Sequence, residues 1–224
     1  MCFSATASFT AGAGLLVVGA MTLRLAARRA ELPFAAIPVV FGIQQLIEGA
    51  LWLTFPEKAP LLNTALTHIY SIFSHVLWPI YVPIAVLLIE PIVWRRRLLV
   101  GIALSGAMVG LYLLYYLITE PLVARVEGQH ITYISPHFYT AAVMTFYVIG
   151  TCVSSLLSSC WSVRLFGLVS LLSFGAAAVF YAAWFISVWC FFAAILSGII
   201  LLHFIRQAAA RSNGRNQQPS PATS

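Results

Sequence analysis

The sequence contains no aspartate and a single lysine, Lys58, and charged residues make up only 8% of its 224 positions. Soluble domains carry about 25% charged residues, so an ordinary water-facing globule is excluded. Without aspartate, a Ser-His-Asp hydrolase lacks its third member. Lys58 sits in the turn Pro56-Glu57-Lys58-Ala59-Pro60, whereas a retinal protein needs a lysine within the bundle for its Schiff base; retinal is therefore excluded. The four cysteines, Cys2, Cys152, Cys160 and Cys190, form no C-x-x-C pair and have no histidine at zinc-finger spacing, which supports neither a disulfide framework nor a zinc module. The arginines line no aromatic groove, so no nucleic-acid partner is expected.

What the chain has instead is apolar length: 61% of its residues are hydrophobic, in runs separated by arginine. The first run, about Ser8 to Ala27, follows an uncharged start and is closed by Arg24, Arg28 and Arg29, the reverse of a secretory signal's charge order. The second covers about Pro33 to Phe55 and the third Ile69 to Glu90, before Arg95, Arg96 and Arg97. The fourth, Leu98 to Thr119, leads into a polar loop with Glu120, Arg125, Glu127 and His130, and the fifth, His137 to Leu157, returns to Arg164. From Leu165 to Ile205 there is neither charge nor proline. A single helix of that length would measure roughly 60 Å against a hydrocarbon core of about 30 Å, so it folds back once, near Tyr181 to Phe185.

These runs predict an all-α polytopic membrane protein of seven transmembrane helices. Ten of its twelve Lys and Arg residues then fall on one side, which makes the N-terminus outside and the C-terminus cytoplasmic. The same charge favours anionic headgroups on the cytoplasmic side as the lipid partner. Residues 1–206 form one membrane domain, and the polar stretch 207–224 reads as a disordered tail. A homo-oligomer is left open.

An ionisable group inside a membrane helix is costly unless paired, and marks a site by default. Glu48 lies about 10 Å inside the second run, with Gln44 one turn below and Trp52 one turn above. His68 and His75, seven residues apart, are expected on one face of the third helix with Ser71 between them, which puts His75 level with Glu48. Tyr70 completes this candidate ligand or proton site. Cys2, His68, His75, Glu48 and His137 all fall in the outer half or outside, and imidazole, thiolate and carboxylate together suit a divalent metal as cofactor. Pro79 and Pro83, four residues apart, free backbone carbonyls and are expected to form a kink or hinge. Glu90, before the arginine run, is expected as an ion-pair anchor.

Met1-Cys2-Phe3-Ser4-Ala5, Gln45-Leu46-Ile47-Glu48-Gly49 with Trp52, and Ser187-Val188-Trp189-Cys190-Phe191-Phe192-Ala193-Ala194 together resemble an uncharacterised family of bacterial integral membrane proteins that begin with this pentapeptide. The resemblance implies a small multi-pass protein of the bacterial inner membrane and favours Cys2, Glu48 and Cys190 as residues to test. It implies no activity. Three functions are consistent with the sequence: binding or transport of a small ligand, proton or metal ion at an outward-facing polar site, intramembrane metal-dependent hydrolysis, and a structural or regulatory membrane subunit.

Overall fold

Ser4 starts the first helix: its backbone is extended and its side chain accepts a hydrogen bond from the Ala7 amide at 3.2 Å. Helix α1 then runs Ala5–Leu25. The computed structural model describes residues 4–55, 59–128, 130–134, 140–180 and 192–216. A 3-10 turn, Arg29–Glu31, leads into α2, Leu32–Leu53, with Pro33 in its first turn, where its missing N–H costs nothing. Helices α3, Pro60–Ile89, and α4, Val93–Thr119, precede a hairpin of β1, Val123–Glu127, and β2, His130–Ile134. The chain continues as α5, Ala141–Leu156, α6, Trp161–Phe180, and α7, Ala193–Asn216.

Six of these segments are long and apolar enough to cross a membrane. The shorter one is α5, about 24 Å long at 1.5 Å per residue. It begins at Ala141, not at His137; residues 135–139, like the expected fold-back near Tyr181 to Phe185, lie outside the described residues. Helix α3 begins at Pro60, nine residues before the expected start, because Pro60 suits a first turn and Asn63 finds a partner, donating to Thr54 Oγ1 at 2.7 Å. Helix α7 continues to Asn216, through the first part of the expected tail. Two of its polar residues there are engaged: Gln207 bonds His203, and Arg211 donates to the Leu25 carbonyl at 2.7 Å, capping the end of α1. The polar loop after α4 is a hairpin whose turn uses Gly128 at φ 65°, the left-handed region that suits glycine.

The arginine-bearing ends gather at one end of the bundle. Arg211 ties α7 to α1, and Arg95 donates to the Leu157 carbonyl at 3.0 Å, tying the start of α4 to the α5–α6 connection. Glu90 is buried and accepts from the amides of Ile92 and Ser159 at 3.1 and 2.6 Å, so it caps two backbone segments where an ion-pair anchor was expected. Glu31 also caps a turn, accepting from the Ala27 and Arg28 amides, and forms an ion pair with Arg28 at 2.8 Å.

Close helix packing rests on small residues. Helix α1 buries Ser8, Gly12, Leu15, Gly19 and Thr22. A Cβ on Gly12 or on Gly42 of α2 would lie 3.0 Å from the other's carbonyl, and Thr22 donates to the Ala35 carbonyl at 2.6 Å. The centre of α3 is packed more tightly. Pro83 has no N–H for the carbonyl of Pro79, and that freed oxygen faces Gly106 of α4 and Gly150 of α5. Gly110, one turn after Gly106, meets the Val76 carbonyl in the same way, at 3.0 Å for an added Cβ. Pro79 and Pro83, the expected kink or hinge, are both buried, with the freed Pro79 carbonyl clamped between two glycines.

Replacing Gly106 with Ala would drive a methyl group into the Pro79 backbone, whereas an added Cβ on Gly101 of the same helix meets nothing within 4 Å. Gly106→Ala is expected to cost about 1–3 kcal/mol, the usual range for overpacking, with Gly101→Ala near neutral or slightly stabilising. Thermal unfolding of the two variants in one detergent checks this.

Candidate functional site

Helices α2 and α3 face each other with polar residues at helical spacing. On α2, Gln44, Gln45 and Glu48 are buried, at 0%, 1% and 0% exposure, with Trp52 one turn on from Glu48. On α3, Thr67, Tyr70, Ser71, Ser74 and His75 are buried. Two side-chain bonds fix the register: Asn63 to Thr54 at one end, and the Trp78 indole N–H to Gln44 Oε1 at 2.8 Å at the other. Stacking of Phe41 on Trp78, with centroids 4.0 Å apart, secures the second. These two bonds bracket Glu48 and His75 on opposite helices, within about 15 Å of α2.

Within the bracket, Gln45 Nε2 donates to Glu48 Oε2 at 3.3 Å, and Ser74 Oγ lies 2.8 Å from His75 Nδ1. Four further buried atoms, Gln45 Oε1, Trp52 Nε1, Thr67 Oγ1 and Ser71 Oγ, have no hydrogen-bond partner among the described residues. Native interiors hold few such atoms, and their concentration along one seam marks a place with unused hydrogen-bonding capacity.

The local backbone has a reason to be irregular here. Residues Ile72–Leu77 form a π-helical segment, in which each amide bonds the carbonyl five residues back. For the Ser74 carbonyl that amide belongs to Pro79, which has none to give. The hydroxyl of Tyr147 on α5 supplies the missing donor. Two residues later α5 enters its own π segment, Ile149–Val153, which carries Gly150 against Pro79. Two π segments meeting at one buried polar seam fit the tendency of such segments to occur at functional sites.

Tyr70 is fully buried and stacks on Tyr133 of β2, ring centroids 4.6 Å apart and 9° from parallel, so the hairpin sits on the part of α3 that carries the seam. The structure thus brings Gln44, Glu48, Trp52, Tyr70 and His75 to one seam. His68 is half-buried towards the start of α3, and its Nδ1 bonds the Thr64 carbonyl of its own helix at 2.8 Å. The π segment that begins at Ile72 widens the winding between residues 68 and 75, so seven residues no longer complete two α-helical turns. Cys2, His137 and Cys190 lie outside the described residues. Among those described, no three His, Cys, Asp or Glu side chains come together as a metal-ligand group.

Sequence reasoning did not place Thr67, Ser74 or Tyr147 in the site. Thr67, Ser71, Ser74 and Trp78 recur at four, three and four residues, a polar stripe that helical spacing reveals once the helix is known to start at Pro60. Tyr147 carries no comparable signal, since it contributes only because a proline 68 residues away leaves a carbonyl open.

The chain belongs to a family of unknown function, DUF6629, whose model matches residues 1–216. No curated protein and no solved structure matches it.

Removing the Tyr147 hydroxyl strands the buried Ser74 carbonyl. Tyr147→Phe is therefore expected to destabilise the protein by about 1–3 kcal/mol, the cost of an unsatisfied buried polar group, although the volume scarcely changes. Chemical denaturation beside the wild type gives the number; equal stability would show that the carbonyl finds another donor.

Proposed function

We propose that this member of a family of unknown function is a multi-pass membrane protein that binds or moves a proton or small ligand through the seam around Glu48 and His75. The observation that carries the reading is the enclosure of a carboxyl, an imidazole and several unused hydrogen-bonding atoms inside a bundle clad in apolar side chains. An ionisable pair held at zero exposure between apolar helices is costly to maintain for packing alone. Membrane insertion is supported by the outer face of α4, where Leu104, Met108, Leu111, Tyr115 and Ile118 form a stripe with 62–75% exposure, which lipid would cover. The arginine-bearing end would face the cytoplasm, where anionic headgroups meet it, and the hairpin end would face outward. On this reading a bacterial member would reside in the inner membrane.

In this reading Glu48 alternates between protonated and charged states, with Gln45 holding one carboxylate oxygen. The Ser74 hydroxyl orients the His75 imidazole, so that a proton or a polar ligand meets prearranged donors and acceptors. The clamp at Pro79 makes flexing of α3 there an unsuitable way to open the site, and access is better assigned to the outer end, where the hairpin stacks on Tyr70.

Proteoliposomes loaded with a pH-sensitive dye test the proton reading directly. Wild type is expected to equilibrate an imposed pH gradient and Glu48→Gln to lose at least about tenfold in rate, with an unchanged unfolding midpoint because the amide preserves shape and the Gln45 contact. Flux that survives in Glu48→Gln removes Glu48 from the role. Metal analysis of wild type beside Glu48→Gln, His75→Ala and Cys2→Ser separates the alternatives: stoichiometric metal lost in those variants would replace the proton with a metal ion.

A further inference from the structure

At the arginine-bearing end, away from the seam, a second chemical cluster stands between α6 and α7. Cys160 is the residue before α6 and is half-buried; its Sγ lies 3.6 Å from Nδ1 of His203. The other ring nitrogen of His203 lies 3.2 Å from Nε2 of Gln207, one turn further along α7. With the Gln207 amide donating to Nε2, the imidazole carries its proton on Nδ1 and donates it to the sulfur. The ring is fixed in that pose: His203 is 6% exposed and stands edge-on to Phe34 and Phe204, at 5.9 and 5.0 Å between centroids. An imidazole N–H donated to the sulfur, with a third group holding the ring in that pose, stabilises the thiolate over the thiol.

The backbone adds to it. The His203 hydrogen bond, with smaller help from the backbone amides of Val163 and Ser162 in the first turn of α6, holds the thiol below the ordinary range against the opposing effect of burial. The charged groups around this connection are Glu90, which accepts from the Ser159 amide, Arg95, which donates to the Leu157 carbonyl, and Arg164, whose amide bonds the Cys160 carbonyl. Cys152 makes the contrast: it is fully buried, bonds Ser170 at 3.3 Å, and burial pulls it away from a reactive role.

We propose that Cys160, His203 and Gln207 form a nucleophilic thiol site whose substrate is a low-molecular-weight disulfide. The Cys160 thiolate attacks one sulfur of R–S–S–R; a new S–S bond forms to Cys160 as the old one breaks, and the electron pair leaves on the second sulfur as a thiolate. Cys160 is oxidised to a mixed disulfide, one R–S group is reduced, and the proton lost from Cys160 passes to solvent. Acyl transfer fits less well, because its tetrahedral intermediate needs free oxyanion donors and the nearby amides of Val163 and Ser162 already serve the sulfur. Thiol–disulfide exchange needs only a thiolate and access, and is fastest when the attacking thiol titrates near the ambient pH. The inference does not depend on the role of Glu48.

Dithiobis(nitrobenzoate), an aromatic disulfide that releases a coloured thiolate, is the probe for the purified full chain. The rate is followed against pH, with the adduct located by peptide mass spectrometry. The expected result is a rapid phase on Cys160, absent in Cys160→Ser, whose pH midpoint lies below that of free N-acetylcysteine in the same buffer. His203→Gln and Gln207→Ala should both raise that midpoint and slow the phase at neutral pH by about threefold or more, since loss of thiolate outweighs the gain in intrinsic nucleophilicity. No adduct at Cys160, a wild-type midpoint equal to that of the free thiol, or a midpoint that neither variant moves would each overturn the proposal. The wild-type profile needs no variant, and Gln207→Ala spares the aromatic packing of His203, so the test stands if His203→Gln fails to fold.

Discussion

The carbonyl of Pro79 is where the geometry of this bundle is decided. Because Pro83 cannot donate to it, the oxygen stands free on the surface of α3, and two other helices meet it with glycine, Gly106 from α4 and Gly150 from α5. Nothing larger than hydrogen fits at Gly106, so α3 and α4 approach backbone to backbone. That closeness also brings Gly110 beside the Val76 carbonyl and draws α5 near enough for Tyr147 to reach Ser74. A free carbonyl is normally a defect in an apolar interior. Here weak Cα–H contacts from small residues and one hydroxyl satisfy the backbone, and the helices gain a unique fit in return.

The polar seam follows from that fit. The π segment of α3 lies immediately before Pro79, and it turns Ser74 and His75 inward together. On the facing helix the Gln44 and Thr54 bonds hold α2 so that Glu48 lies between them. The seam is thus built from regular spacing on one side and deliberately irregular winding on the other. It is wetter in character than anything around it, with four buried atoms whose hydrogen-bonding capacity is unused among the described residues.

Much of this was legible in the sequence, and the limits are physical. Hydropathy and arginine placement locate the helices, since each acts through local composition. Glu48, Gln44 and Trp52 stand out because a four-residue spacing survives in the regular helix α2. The same reasoning is less direct on α3, where the π segment from Ile72 alters the winding between His68 and His75 in a way residue numbers do not reveal. The prolines are recognisable as carbonyl-freeing residues, yet whether a freed carbonyl becomes a hinge or a clamp depends on what packs against it, and the glycines that do so lie on other helices. Gly106 and Gly110 form a G-x-x-x-G pair that is readable in retrospect. The partnership of Cys160 with His203 joins residues 43 apart in sequence and has no local signature.

The Arg211 contact with the end of α1 reaches beyond capping. Helix α1 packs chiefly on α2 and on α7, so among the described residues the first helix shares a flank with one more than 160 residues further along the chain. The small-residue face of α1 rests on α2, while the Leu25 carbonyl at its end takes its side-chain donor from Arg211 of α7. Sequence order and spatial order therefore diverge: α1 and α7 lie side by side, although the clamp of α3, α4 and α5 stands between them in sequence. A chain truncated before Ala193 would strip α1 of its second neighbour and of the donor at its end, so a change at one extreme of the sequence is felt at the other.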